Sequence, residues 1–120
     1  MEIEREVVNL GSTIEIVGFK ELDAGSMVIL KKIVGNYAKK MSERMKNFEK
    51  IKLTMKPVHE REKSEIYEVK GHLFTGSHPI IAEETDRNLF FALDKVLKRL
   101  EESIEWEGII KFKNISLFWS

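Results

Sequence analysis

The chain reads as an α+β protein in which two amphipathic helices lie side by side on one face of a four-stranded sheet. Three observations predict this. Apolar residues recur at three- and four-residue steps over about 26–48 and again over about 86–104, the period of a helix buried along one side. Between these runs, residues 50–84 alternate apolar and polar around two turn-like stretches, the pattern of a three-stranded antiparallel meander. A further alternating stretch precedes the first helix, so the order is β-α-β-β-β-α. Helices that are each apolar along one stripe are covered most simply when both settle on the same sheet face, as a two-layer sandwich.

Residues 1–13 form an N-terminal extension in which REVVNLGS has the makings of a short strand ending at a Gly-Ser turn. TIEIVGF then sets Ile14, Ile16 and Gly18 against Glu15, Val17 and Phe19, a first strand. KELDAGS supplies turn residues and two candidate N-caps, Asp23 and Ser26. The helix that follows carries Leu30, Ile33, Val34, Tyr37, Met41, Met45 and Phe48 on its apolar face. Gly35 inside it costs about 1 kcal/mol relative to alanine, too little to end it. Lys32, Lys39 and Lys46 recur every seven residues and line its outer side, with Lys31 and Lys40 beside them.

In KIKLTMKPVH, Ile51, Leu53 and Met55 oppose Lys50, Lys52, Thr54 and Lys56, so this strand has a cationic open side. Pro57 cannot donate a ladder hydrogen bond and marks an edge or the strand's end. EIYEVKGHLF places Tyr67, Val69, Gly71 and Leu73 on one face and Glu68, Lys70 and His72 on the other, and IIAEE closes the meander after a TGSHP turn. The second helix is expected to start at Thr85 or Asp86, either of which can cap it. It buries Leu89, Phe90, Leu93, Val96, Leu97, Leu100 and Ile104, and it ends near Trp106 to Gly108. One α+β domain over residues 14–107 is therefore expected, followed by a C-terminal extension, 108–120, whose IIKFKNISLFW suits an added strand or a packed tail.

Composition narrows the function classes. At 120 residues the chain supports one core rather than two. Twenty basic residues balance twenty acidic ones, which argues against indiscriminate nucleic-acid binding and leaves the arrangement of charge over the faces to decide. With no cysteine there is no disulfide framework and no thiolate chemistry. The opening MEIEREVVNL is charged from its second residue and lacks the apolar core of a signal peptide. No run approaches the roughly 20 apolar residues of a bilayer span. A soluble, cytoplasmic protein is expected, with no membrane partner.

Catalytic patterns are missing from the sequence. It has no nucleophile elbow and no Gly-rich phosphate loop. Glu83-Glu84 and Glu101-Glu102 are neighbours in sequence, and adjacent positions on a strand or helix do not face each other, so neither pair makes an acid/base dyad. His59, His72 and His78 fall at irregular spacing, and HEREK is not the two-histidine helix motif of a zinc hydrolase, so no metal site is assigned. A non-enzymatic protein with no cofactor and no small-molecule substrate is the expectation.

Over residues 14–105 the chain resembles the ribosome hibernation promoting factors, also called ribosome-associated inhibitor A or the sigma-54 modulation protein family. NLFFALD, residues 88–94, is similar to the family's D-x-Y-A-A-I-D run. Asn88 stands for the first Asp, Phe90 for the Tyr, Ala92 for the second Ala, Leu93 for the Ile and Asp94 for the last Asp, with Arg99-Leu100 matching a later Lys-Leu. YEVKGHL, residues 67–73, is similar to V-E-A-T-L-H-V, with Glu68 and His72 at matching places, and RMKNFEKIKL is similar to the family's passage from first helix to second strand. The chain departs where the family carries a Lys/Arg-rich tail, since Glu101, Glu102, Glu105 and Glu107 occupy that stretch, and its FTGSHP hairpin is longer.

The resemblance implies the β-α-β-β-β-α fold and a translation inhibitor that occupies the mRNA and tRNA channel of the small ribosomal subunit. It gives the basic helix backs a role. Lys32, Lys39, Lys40 and Lys46 on the first helix, with Arg87, Lys95, Lys98 and Arg99 on the second, become anchors for rRNA phosphates. Without it, the same lysines are the solubilising charge that helix backs usually carry. Phe91 breaks the apolar stripe among cations and is either a base-stacking ring or a residue packed against the ISLFW tail. His72 is a candidate RNA contact on the open sheet face through the resemblance, and otherwise a solvent-facing strand histidine.

Two other functions fit the same elements. An α-β-β-β-α core is the order of double-stranded-RNA-binding modules, but those begin the last helix with a lysine cluster where TDRNLFF carries only Arg87. A protein-interaction domain would use the apolar ends, REVVNL and ISLFW, as strands added to a partner or to a second copy in a homodimer.

Overall fold

The computed structural model describes residues 7–10, 13–19, 22–60, 64–76 and 79–119, with side chains over 13–19, 22–58, 66–76 and 79–104. Its elements are β1 (Val7–Leu10), β2 (Ile14–Val17), α1 (Ala24–Arg44), β3 (Lys50–Glu60), β4 (Ser64–Phe74), β5 (Ile80–Asp86) and α2 (Leu89–Trp119). The strands form one sheet in the order β1-β2-β3-β4-β5. β2 and β3 pair in parallel across the α1 crossover, and the other neighbours pair antiparallel.

Alternation along the strands places the core. Ile14 and Ile16 register with Ile51 and Leu53, which register with Leu73 and Gly71, and Gly71 with Ala82. Against this single face pack Leu30, Val34, Ala38 and Met41 of α1 and Leu89, Ala92, Leu93, Val96, Leu97 and Leu100 of α2. The two-layer α+β sandwich is therefore the architecture, and both apolar stripes meet the sheet as their spacing requires. Two glycines permit close approach. At Gly71 an added Cβ would lie 2.7 Å from Cγ1 of Val96, so α2 can rest directly on β4. Gly18 has φ +87, and an added Cβ would collide with the Met55 carbonyl oxygen.

Several boundaries differ from expectation. The short strand read in REVVNLGS is present as β1, and it joins the sheet as a fifth strand rather than leaving four, with Val8 opposite Ile16. Asp23, rather than Ser26, caps α1, its side chain accepting from the Ser26 N–H at 3.0 Å. α1 stops at Arg44, four residues early, because Met45 turns extended while its N–H still bonds the Met41 carbonyl. The apolar period runs on past that end because Met45 and Phe48 pack against the same core from the reversing chain. Pro57 lies inside β3 without breaking it, since β2 pairs only with residues 51–54 and leaves that side open.

Neither Thr85 nor Asp86 caps α2. β5 runs through both, and Oδ1 of Asn88 accepts from the N–H groups of Phe90 and Phe91 at 2.9 and 3.1 Å. α2 does not end near Trp106 to Gly108, and residues 109–119 are helix rather than an added strand. A single glycine weakens a helix by only about 1 kcal/mol and ends one reliably only in the left-handed conformation. Among the described residues, no helix is long and apolar enough to cross a membrane.

Candidate nucleic-acid interface

The backs of α1 and α2 face away from the core and are exposed. The two helices run parallel and in register. Tyr37 donates its hydroxyl to Oδ1 of Asp94 at 2.9 Å, and Arg44 bridges Glu101 at 3.4 Å. The second contact lies seven residues beyond the first on both helices, two turns of each. Burial, the hydrogen bond to Asp94 and the nearby charges of Glu101 and Glu102 push the Tyr37 phenol up to about 12, so it is a fixed donor at neutral pH.

On α1, Lys32 and Lys39 are exposed and make no ion pair among the described residues, while Nζ of Lys40 leans over the Tyr37 ring at 5.1 Å from its centroid. On α2, Phe91 is 62% exposed, and the side chains of the ISLFW tail lie outside the described residues. Lys98 is exposed too. Lys32, Lys39, Lys40, Phe91 and Lys98 are thus brought to one side of the molecule. The groove between the helices also holds Glu43 and Asp94, so the surface is mixed rather than uniformly cationic.

Other expected site residues are placed elsewhere. Lys95 reaches to β5, bridging Asp86 at 3.1 Å and donating to the Thr85 carbonyl at 3.2 Å. Arg99 pairs with Glu84, also on β5. These two cations tie α2 to the edge strand β5. Lys46 lies in the turn past the end of α1, and Arg87 in the bend before α2. Because the helices are parallel, those two occupy opposite ends of the surface. His59 and His78 fall outside the described side chains. Among the described residues, no group of three or more His, Cys, Asp or Glu could hold a metal ion.

His72 is on the far side of the sheet, where β4 pairs it with Lys52 of β3 and Ile81 of β5. Its ring stacks on Phe74, centroids 6.0 Å apart and planes 15° apart, and its Nδ1 is buried without a hydrogen-bond partner. Burial, and then the charges of Lys52 and Lys70, hold the imidazole below its ordinary value.

Two features escaped the sequence. Tyr37 read as one more core residue, although the polar tip of a tyrosine on an apolar stripe calls for a partner. Phe74 completes the alternation of Lys70 and His72 on the open sheet face. No protein-family model matches the chain, and no curated protein matches it.

Proposed function

We propose that this chain is a non-enzymatic ribosome-binding protein of the cytoplasm, which lays its helix backs on rRNA of the small subunit and keeps mRNA and tRNA from the channel. The reading rests on the resemblance of residues 14–105 together with the observed element order. The observation that carries it furthest is the parallel pairing of α1 and α2, which sets Lys32 and Lys39 of one helix and Lys98 of the other on a common side with the exposed Phe91. Several fixed cations on one side match a phosphate backbone even on a protein of zero net charge. A bare aromatic among them suits an unstacked base.

In this arrangement Lys32, Lys39 and Lys98 are phosphate anchors, Lys40 is a secondary one oriented by Tyr37, and Phe91 is the base contact. Lys95 and Arg99 position α2 rather than touch RNA. The test is cosedimentation with purified small subunits across a salt series, comparing the protein with Lys39→Glu/Lys98→Glu. Saturable binding that weakens with salt and disappears in the double variant is the expected result. Protein that stays in the supernatant at low salt would show that the helix backs are only solvated surface.

A further inference from the structure

The face of the sheet turned away from the helices has its own organisation. Register places its residues in rows. Lys50 lies opposite Phe74, the next row runs Glu15, Lys52, His72, Ile81, and the one after it Val17, Thr54, Lys70, Glu83. The Phe74 end therefore gathers two near-parallel rings and Ile81, which is 57% exposed, inside a rim of lysines. Nζ of Lys50 sits 5.6 Å from the Phe74 ring centroid while bridging Glu15 at 2.8 Å. Lys52 and Lys70 make no ion pair among the described residues. Acids border the same rows: Glu15 lies opposite Lys52, and Glu83 lies opposite Lys70 and shares a side-chain hydrogen bond with Glu68 that raises the Glu68 carboxyl above its ordinary value.

We infer that this open face binds single-stranded RNA, with His72 and Phe74 as stacking platforms for successive bases and Lys52 and Lys70 on the phosphates. The chemistry is selective for an unpaired strand, because bases already stacked in a duplex have no free π-face to offer. Ile81 extends the apolar surface on the β5 side. The site is independent of the helix backs, since the sheet and core separate the two.

The experiment is fluorescence anisotropy with a labelled, unstructured ten-nucleotide RNA over a salt series. The comparison set is the wild-type protein, Phe74→Leu, Lys52→Glu/Lys70→Glu, Ile81→Glu and the helix variant Lys39→Glu/Lys98→Glu. Phe74→Leu keeps apolar volume and removes the ring, and it should weaken binding about tenfold. The Lys52→Glu/Lys70→Glu change should lower the salt slope by at least about 1.4, roughly 0.7 for each lysine on a single strand. Ile81→Glu, at an exposed position, should weaken binding with the fold intact by circular dichroism. The helix variant should keep the part of oligonucleotide binding that Phe74→Leu weakens, which separates this site from the helix backs. No binding at low salt, equal affinity for an RNA duplex, or loss in the helix variant alone would each overturn the assignment.

Discussion

The Tyr37 hydroxyl donates to Oδ1 of Asp94 across the seam between two parallel helices, the polar joint between two apolar stripes. Tyr37→Phe should destabilise the protein by about 1–2 kcal/mol, since it leaves a part-buried carboxylate without its donor. Urea melts with an unchanged m-value would report it. The phenol is held near 12 in the folded state against 10.0 for an ordinary tyrosine. A raised folded value stabilises fully below pH 10 and is lost as pH climbs towards 12. The difference in stability between the wild type and Tyr37→Phe should therefore shrink over that window.

Gly71→Ala should cost about 1–3 kcal/mol, because the new methyl would stand 2.7 Å from Val96 and 3.0 Å from Leu100 and push α2 off the sheet. Combining it with Val96→Ala should recover part of that loss. A double-mutant cycle by thermal denaturation measures the coupling, and strict additivity would show that α2 does not rest on β4 here.

Asn88→Ala removes the acceptor for two N–H groups at the start of α2 and should cost about 1 kcal/mol by chemical denaturation. The neighbouring Asp86 carboxyl accepts from the Asn88 N–H and from Lys95, which hold it below 3.8. A lowered carboxylate stabilises above its unfolded value and loses that contribution as pH falls through the folded one. Lys95→Ala should raise the Asp86 midpoint in an NMR titration.

His72 should titrate below 6.5, with burial as the larger cause and Lys52 and Lys70 as the others. A depressed histidine contributes stability that is complete above pH 6.5 and lost as pH falls through its folded value. Lys52→Gln should move the imidazole midpoint upward in a carbon-proton NMR titration. An unchanged midpoint would remove Lys52 from its surroundings.

Phe91→Ser should leave stability within about 0.5 kcal/mol, as expected of a ring 62% exposed. Leu93→Ala, two residues on and fully buried, should cost about 2–5 kcal/mol. On the proposed function, Phe91→Ser also weakens cosedimentation with small subunits, whereas Leu93→Ala acts through folding.

Periodicity alone determined the two-layer fold of this protein, because burial imposes a period of two on strands and 3.6 on helices, and both repeats stand in the residue order. Ile14, Ile16, Leu53 and Val69, like Leu30, Val34, Leu93 and Leu97, could be assigned to the core before any coordinates. Element ends were less legible, since Met45 and Phe48 keep the helical period from outside the helix, and Asn88 caps α2 only because β5 runs on to Asp86. What tertiary structure decided was which charges are free. Lys95, Lys98 and Arg99 look alike in sequence, yet two of them are claimed by β5 carboxylates and one is not. Tyr37 with Asp94 and His72 with Phe74 owe their roles to neighbours that chain position does not specify. Local pattern sets which side of an element is buried, whereas partner choice depends on how whole elements stack and in what register.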